Sequence, residues 1–416
     1  MTLPRSGFKR RLLLFLAVVG PGIITAVADN DAGGVATYTV AASLYGMASQ
    51  YLIIPVTVLL ALSQELGARV SIITGKGLGS LIRERYGLRL AAVVFGLYFI
   101  VNQGVILQNV SGLKAALQLT IFPWRPLLIA TCVALTFLVI RLSYRRLQQI
   151  FLVMILFYLT YVVSAFLANP NWAEALRESL VFPRQVNIAN VGYWFSLIAV
   201  LGTTITAWGQ FFVSSYIVDK GLHTRQLREA RWEIYFGAIV TNVLSWLMAL
   251  AVTYTLFVNR IPVADAGAAA LAIRPFAGPA AGALFATGLF GASLLGLSIV
   301  PLATSYVFSE LFGYERTLNA SFKKGKPFYV FFVLQIALGL VMALFPQINL
   351  FNLTLYADYL NGAMLPVIFY FLIKFSEDRE LVGDKHLPGR FSRAFVRLAT
   401  AGISLAVIIT FIGKLR

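Results

Sequence analysis

Residues 12–46 read LLLFLAVVGPGIITAVADNDAGGVATYTVAASLYG, and the middle of the run, DNDAGG at 29–34, sets two carboxylates, Asp29 and Asp31, beside two glycines in an otherwise apolar stretch. Soluble domains carry about 25% charged residues. This 416-residue chain carries 12% against 59% hydrophobic, with a mean hydropathy of +0.80. That is the composition of a polytopic membrane protein. Runs able to cross a bilayer core of about 30 Å with about 20 residues lie at 12–44, 48–70, 90–119, 126–142, 149–169, 191–218, 234–258, 280–311, 327–345, 348–373 and 398–413. The fold class expected is all-α, with about eleven transmembrane helices in one transporter domain over 1–416.

The formal charge of +17 is explained by position before any nucleic-acid partner is invoked. With the N-terminus in the cytoplasm, the basic clusters at 5–11, 75–89, 141–146, 220–231, 315–326 and 374–397 all fall inside and hold 25 of the 34 Lys and Arg. The opposite connections and the C-terminus hold only Arg125, Arg177, Arg184, Arg260, Arg274, Lys414 and Arg416. This is the positive-inside asymmetry. It predicts an integral protein of a bacterial inner membrane, N-terminus cytoplasmic and C-terminus outside, with lipid as its surroundings and no nucleic acid as partner. Residues 1–11 read as a cytoplasmic end, because no small-residue cleavage site follows them. Cys132 is the one cysteine, so an intrachain disulfide is excluded. Oligomeric state has no signature in the sequence.

Span 1 is interrupted at DNDAGG, and span 6, five spans on, is interrupted at GTTITAWGQ, residues 202–210. Glycine costs a helix about 1 kcal/mol relative to alanine, and the threonine-rich run between Gly202 and Gly209 is a poor helix former. Unwound backbone at membrane depth is tolerated where protein or a polar cavity receives its N–H and C=O groups. Matching breaks in two halves point to a transporter with inverted repeats and a midplane site. The repeats expected are spans 1–5, about 12–169, and spans 6–10, about 191–373, with 398–413 as an additional helix. The glycines of GLFGASLLG, residues 288–296, read instead as close helix packing.

Thirteen of the 17 acidic residues fall in connections or at helix ends, leaving Asp29, Asp31, Glu65 and Asp358 inside apolar spans. A charge at the bilayer centre costs roughly 2.5–3.5 kcal/mol on insertion scales. Three unpaired carboxylates would therefore cost roughly 9 kcal/mol, comparable with the stability of a whole domain. Glu65 and Arg69 have the i, i+4 spacing of a pair. Asp29, Asp31 and Asp358 have no local cation, and a bound metal ion is the economical partner. The donors available near the breaks are oxygens: the carboxylates, the hydroxyls of Thr203, Thr204 and Thr206, the amides of Gln210 and Asn361, and main-chain carbonyls. His223 and His386 lie in connections. Oxygen sites suit Mg²⁺, Ca²⁺ or Mn²⁺. Mg²⁺ keeps several waters, for which the small residues Ala32, Gly33, Gly34, Ala207 and Gly209 would leave room.

The stretch GPGIITAVADNDAGGVATYTVAA, followed by ELGARVSIITGKGLGSLIRERYG, resembles the first two spans of the Nramp divalent-metal transporters, and the likeness extends through span 10. The resemblance implies a leucine-transporter-type fold of 5+5 inverted repeats with helices 1 and 6 broken, and a metal held between the breaks. It places Asp31 as the metal-ligand aspartate and Gly34 where relatives carry asparagine. Thr206, Ala207 and Trp208 stand in place of a Met-Pro-His motif, Thr203 supplies a carbonyl ligand, and Asp358 replaces a glutamine. Acidic proton-relay positions fall at Ile106 and Asn109. These departures resemble the Nramp-related magnesium transporter branch, which implies transport of Mg²⁺, tolerance of Mn²⁺ and no proton coupling.

The expected function is therefore a Mg²⁺ carrier, not an enzyme and without a cofactor. Asp31 is its principal ligand, and Asp358, Thr206, Thr203 and Gln210 act largely through water. Asp29 is either a further ligand or a lining group of the path. The rival readings are a proton-coupled Mn²⁺ or Fe²⁺ symporter of the same fold, a sodium-coupled carrier of organic solutes, and an intramembrane protease with an Asp31–Asp358 dyad.

Overall fold

The computed structural model describes residues 25–26, 28–120, 122–142, 146, 149–150, 159–181, 190–261, 263, 269, 279–314, 322–345 and 347–415. Within them the chain forms α1 (Ala32–Tyr45), α2 (Ile53–Thr74), α3 (Leu78–Gln118), α4 (Trp124–Arg141), α5 (Leu159–Leu167), α6 (Trp172–Leu180) and α7 (Val191–Thr204). It continues through α8 (Ala207–Lys220), α9 (Leu227–Val252), α10 (Pro279–Phe312), α11 (Lys326–Ala343), α12 (Leu350–Ser376), α13 (Arg379–Val382) and α14 (Arg390–Leu415). No strand occurs among the described residues. Nine helices there are long and apolar enough to cross a membrane, with α7 and α8 counted as one. These nine coincide with the expected spans 2, 3, 4 and 6–11. The first half of span 1 and residues 151–158 of span 5 lie outside the described residues.

Three details differ from the sequence reading. Helix α2 continues to Thr74, past the expected end at 70, and stops where Gly75 turns left-handed at φ 66°. The polar residues that made its end look finished are paired: Arg69 donates to Glu65, whose Oε1 also accepts Arg231 Nε at 3.1 Å, while Arg69 Nη1 donates to the His386 carbonyl at 2.7 Å. Span 3 is preceded by a helical turn from Leu78 that meets it at Gly87, φ 80°. Glu233 and Glu310, counted as helix-end groups, are buried; Glu310 accepts Ser80 N at 3.1 Å and Ser215 Oγ at 2.7 Å. Lys114, the other cation inside a span, donates to the Ala343 carbonyl at 2.9 Å and lies over the Trp124 ring, so it serves the end of α11 and not a carboxylate. Breaking a buried pair costs about 3–5 kcal/mol. Glu65→Gln, which strands Arg69, is expected to lose stability of about that size in a thermal or denaturant unfolding series.

Small residues set the helix crossings that build the interior. A Cβ at Gly202 would lie 2.0 Å from the Asp358 carbonyl oxygen and 2.5 Å from Gly362 N, so α7 and α12 touch backbone to backbone. A Cβ at Gly112 of α3 would lie 2.4 Å from Ala32 Cβ. At Gly296 of α10 it would lie 2.1 Å from Asn109 Oδ1, so the close packing expected of GLFGASLLG at this position seats a polar side chain.

Candidate metal site

The first break is built from its own carboxylate and from α3. The turn ending span 1's first half closes with Asp29 N on Thr25 O at 3.1 Å. Asp31 then leaves helical geometry, at φ −64° and ψ −168°, and caps α1 by accepting Gly34 N at 3.2 Å. Aspartate is a preferred N-cap because its oxygen takes up one of the orphan N–H groups. In an unbroken helix Ala32 N would bond the Ala28 carbonyl; here it donates to Asn109 Oδ1 at 3.1 Å. The same Asn109 donates through Nδ2 to Asp31 Oδ2 at 2.6 Å, and so fixes both the break and its carboxylate. Asn30 faces away, donating to Thr241 O and Oγ1 at 2.8 Å and accepting from Ser245.

The second break repeats the device. Thr206, at φ −80° and ψ 148°, caps α8 by accepting Gly209 N at 3.0 Å. Ala207 N, which would have continued α7 by bonding the Thr203 carbonyl, donates to Asn361 Oδ1 of α12 at 2.8 Å. In both places an asparagine from another span takes the bridging N–H. Ala28 and Thr203 are thereby left with carbonyls that lack their i+4 partners. The breaks face each other: a Cβ at Gly34 would meet Asp29 O at 3.2 Å and Thr203 Oγ1 at 3.3 Å.

The other carboxylates are drawn in by hydroxyls. Asp358 Oδ2 accepts Thr37 Oγ1 at 2.5 Å and Thr354 Oγ1 at 3.5 Å, and Thr354 also donates to the Gly33 carbonyl at 3.1 Å. Asp29 Oδ1 accepts Thr206 Oγ1 at 2.5 Å, and its Oδ2 lies 3.4 Å from Gln64 Nε2. Asp29, Asp31 and Asp358 are 1%, 3% and 1% exposed. Gln210 is fully buried one turn beyond Thr206, with no hydrogen-bond partner for either amide atom. Buried polar groups are rarely left so, and the orphan amide marks a place for a polar occupant.

Of the residues named from the sequence, Asp31 caps Gly34, Gly34 lies against Thr203, and Asp358 is linked to this break through Thr37, Thr354 and the Gly33 carbonyl. Thr206 stands with Asp29. Ala207 faces Asn361, its N–H already used. Among the described residues no three Asp, Glu, His or Cys side chains form a metal cluster. The carboxylates are separate posts, each with its own donors. Direct ligation of one ion by all three is not the arrangement seen. Asn109 was marked from the sequence only as a relay position that lacks an acid, and Gln64, Thr37 and Thr354 were not singled out at all. A polar residue within an apolar span is the signal that would have marked them.

Residues 22–413 match the family described as natural resistance-associated macrophage protein-like. The chain is 25% identical over 247 residues to the divalent metal cation transporter MntH of Levilactobacillus brevis, covering 57% of this chain and 52% of that one. It is 26% identical over 307 residues to MntH of Klebsiella pneumoniae, covering 70% and 71%. The chain thus spans about half the length of the first curated relatives it matches. Among solved structures it resembles the Eremococcus coleocola manganese transporter bound to an aromatic bis-isothiourea compound, with a TM-score of 0.79 at 16% identity over 99% of this chain and 88% of that one. It also resembles MhsT in complex with L-phenylalanine, with a TM-score of 0.62 at 14% identity over 97% and 98%. These structural likenesses are of fold. The chain belongs to the Nramp family of integral membrane proteins.

Proposed function

We propose that the chain is a divalent-metal transporter that moves hydrated Mg²⁺, and also Mn²⁺, by alternating access and without proton coupling, as in the Nramp-related magnesium branch. The observation that carries this reading is the donor set. Every described partner of Asp29, Asp31 and Asp358 is a hydroxyl, an amide or a main-chain group, with neither sulfur nor imidazole among them. Such a site suits a hard ion, and Mg²⁺ arrives with waters that bridge to posts already set apart. Asp31 is the principal ligand. Asp358 and the Thr203 carbonyl act through water, Gly34 and Ala207 leave room for it, and Thr206 and Gln210 border the side facing Asp29.

Two neutral residues support uncoupled transport. Ile106 and Asn109 stand at the relay positions implied by the family resemblance, and Asn109 is held between Asp31 and Ala32 N. The solute-carrier reading is disfavoured by the half-helix N-termini. The N–H groups of Ala32, Gly34, Ala207 and Gly209, which would hold an organic anion, are already taken. The basic clusters favour a cytoplasmic N-terminus, and the paired breaks favour 5+5 repeats.

Purified protein in liposomes with a Mg²⁺-sensitive dye and a pH dye inside tests the proposal. Mg²⁺ is expected to enter with no change in internal pH. Acidification that tracks Mn²⁺ uptake, with no Mg²⁺ uptake, would instead support the proton-coupled symporter.

A further inference from the structure

We infer that Asp29, Gln64, Thr206 and Gln210 form a second cation station, distinct from Asp31, on the side of the site that faces the basic connections. The inference rests on the transport reading above and adds a place where the ion pauses after leaving Asp31.

Asp29 and Asp31 are separated by function in the fold. Asp31 is turned toward α3, where Asn109 holds Oδ2 at 2.6 Å, and its Oδ1 is occupied by the cap of α1. Asp29 is turned toward α2 and α8, where Thr206 Oγ1 lies at 2.5 Å and Gln64 Nε2 at 3.4 Å. None of the partners of one carboxylate is shared by the other.

Unpartnered buried groups point to a ligand at Asp29. Gln64 and Gln210 are both fully buried, and Gln64 Oε1 and both amide atoms of Gln210 have no hydrogen-bond partner. Gln64 reaches Asp29 with its amide end, so rotating that amide by half a turn presents Oε1 beside the carboxylate. Gln210 follows Thr206 by four residues and sits one turn above it, its N–H donating to the Thr206 carbonyl at 3.4 Å. Gly209 completes the seat, since a Cβ there would lie 2.8 Å from Asp29 Oδ1 and 2.8 Å from Thr206 Oγ1. One carboxylate, two amide oxygens, one hydroxyl and water are a hard-oxygen set suited to a divalent cation.

The station is placed by chain direction. Residue 29 precedes residue 31 in a span that starts at the basic 5–11 cluster. Gln64 and Gln210 lie on helices that run on to Arg69 and to Lys220, again at basic ends. Repulsion between two divalent ions at adjacent posts forbids their filling together, so one ion passes from Asp31 to Asp29.

Titration of purified protein with Mn²⁺, with the free ion counted by its paramagnetic resonance signal, tests the inference. Asp31→Asn is expected to retain one Mn²⁺ per chain with affinity weakened at least about 10-fold, and Asp31→Asn with Asp29→Asn to retain none. Absence of binding by a folded Asp31→Asn protein, or equal binding by the single and double variants, would overturn the second station. Should Asp31→Asn not fold, Asp29→Asn alone decides: Mn²⁺ affinity unchanged with uptake slowed about 10-fold supports the station, and wild-type uptake overturns it. Wild-type protein that binds Mn²⁺ with this pattern and transports no metal would contradict the transport reading and leave the station standing.

Discussion

Replacing Asp31 by asparagine is expected to lower Mg²⁺ uptake at least about 100-fold, since loss of a mere outer-shell partner already costs about 10–100-fold in metal sites. The change removes the charge and keeps the shape. Asparagine is as good an N-cap as aspartate, so α1 should still start at residue 32. A smaller structural cost comes from the neighbours. Gly34 N and Asn109 Nδ2 both donate to Asp31, one to each oxygen, and an amide can accept from only one of its two ends. Asn109 cannot turn over to relieve this, because its Oδ1 holds Ala32 N. The mismatch should cost about 1–3 kcal/mol, seen as a modest fall in unfolding temperature. Uptake at the wild-type rate by the folded variant would show that the ion is held elsewhere.

The second large effect is expected at Gly202, far less conspicuous in the sequence than the aspartates. A methyl group there would stand 2.0 Å from the Asp358 carbonyl oxygen and 2.5 Å from Gly362 N, both backbone atoms that no rotamer change can move. Overpacking where side chains can adjust costs about 1–3 kcal/mol; here two helices must separate, so Gly202→Ala should exceed that range. Little or no folded protein should survive gel filtration in detergent. Gly402→Ala in α14, where nothing lies within 4 Å of the added methyl, is the matched control and should behave as wild type. Equal stability of the two would mean that α7 and α12 do not make this crossing.

The legibility of the chain follows the range of the interactions. The spans could be read because about 20 apolar residues in a row have few other uses. Both breaks could be read because Gly33, Gly34 and Gly202–Gly209 weaken a helix locally, and the helices do restart at Ala32 and Ala207. The Glu65–Arg69 pair was visible from its spacing, but not its third member Arg231, 162 residues beyond Arg69. What holds the carboxylates was hidden for the same reason. Asn109, Thr37, Thr354 and Gln64 are ordinary polar residues until α1, α2, α3 and α12 are packed, and only then does each meet an aspartate or a freed N–H. Glu310 does lie at the end of α10, but its burial was hidden because the start of α3, which covers it, is remote in sequence.

The central claim is that an all-oxygen, water-bridged site selects a hard ion. Displacement of Mn²⁺ from the purified protein by Mg²⁺ and by Cd²⁺ tests it most directly. The account predicts that Mg²⁺ displaces Mn²⁺ and that Cd²⁺ does so no more effectively. Displacement by Cd²⁺ at far lower concentration, with Mg²⁺ inert, would contradict it.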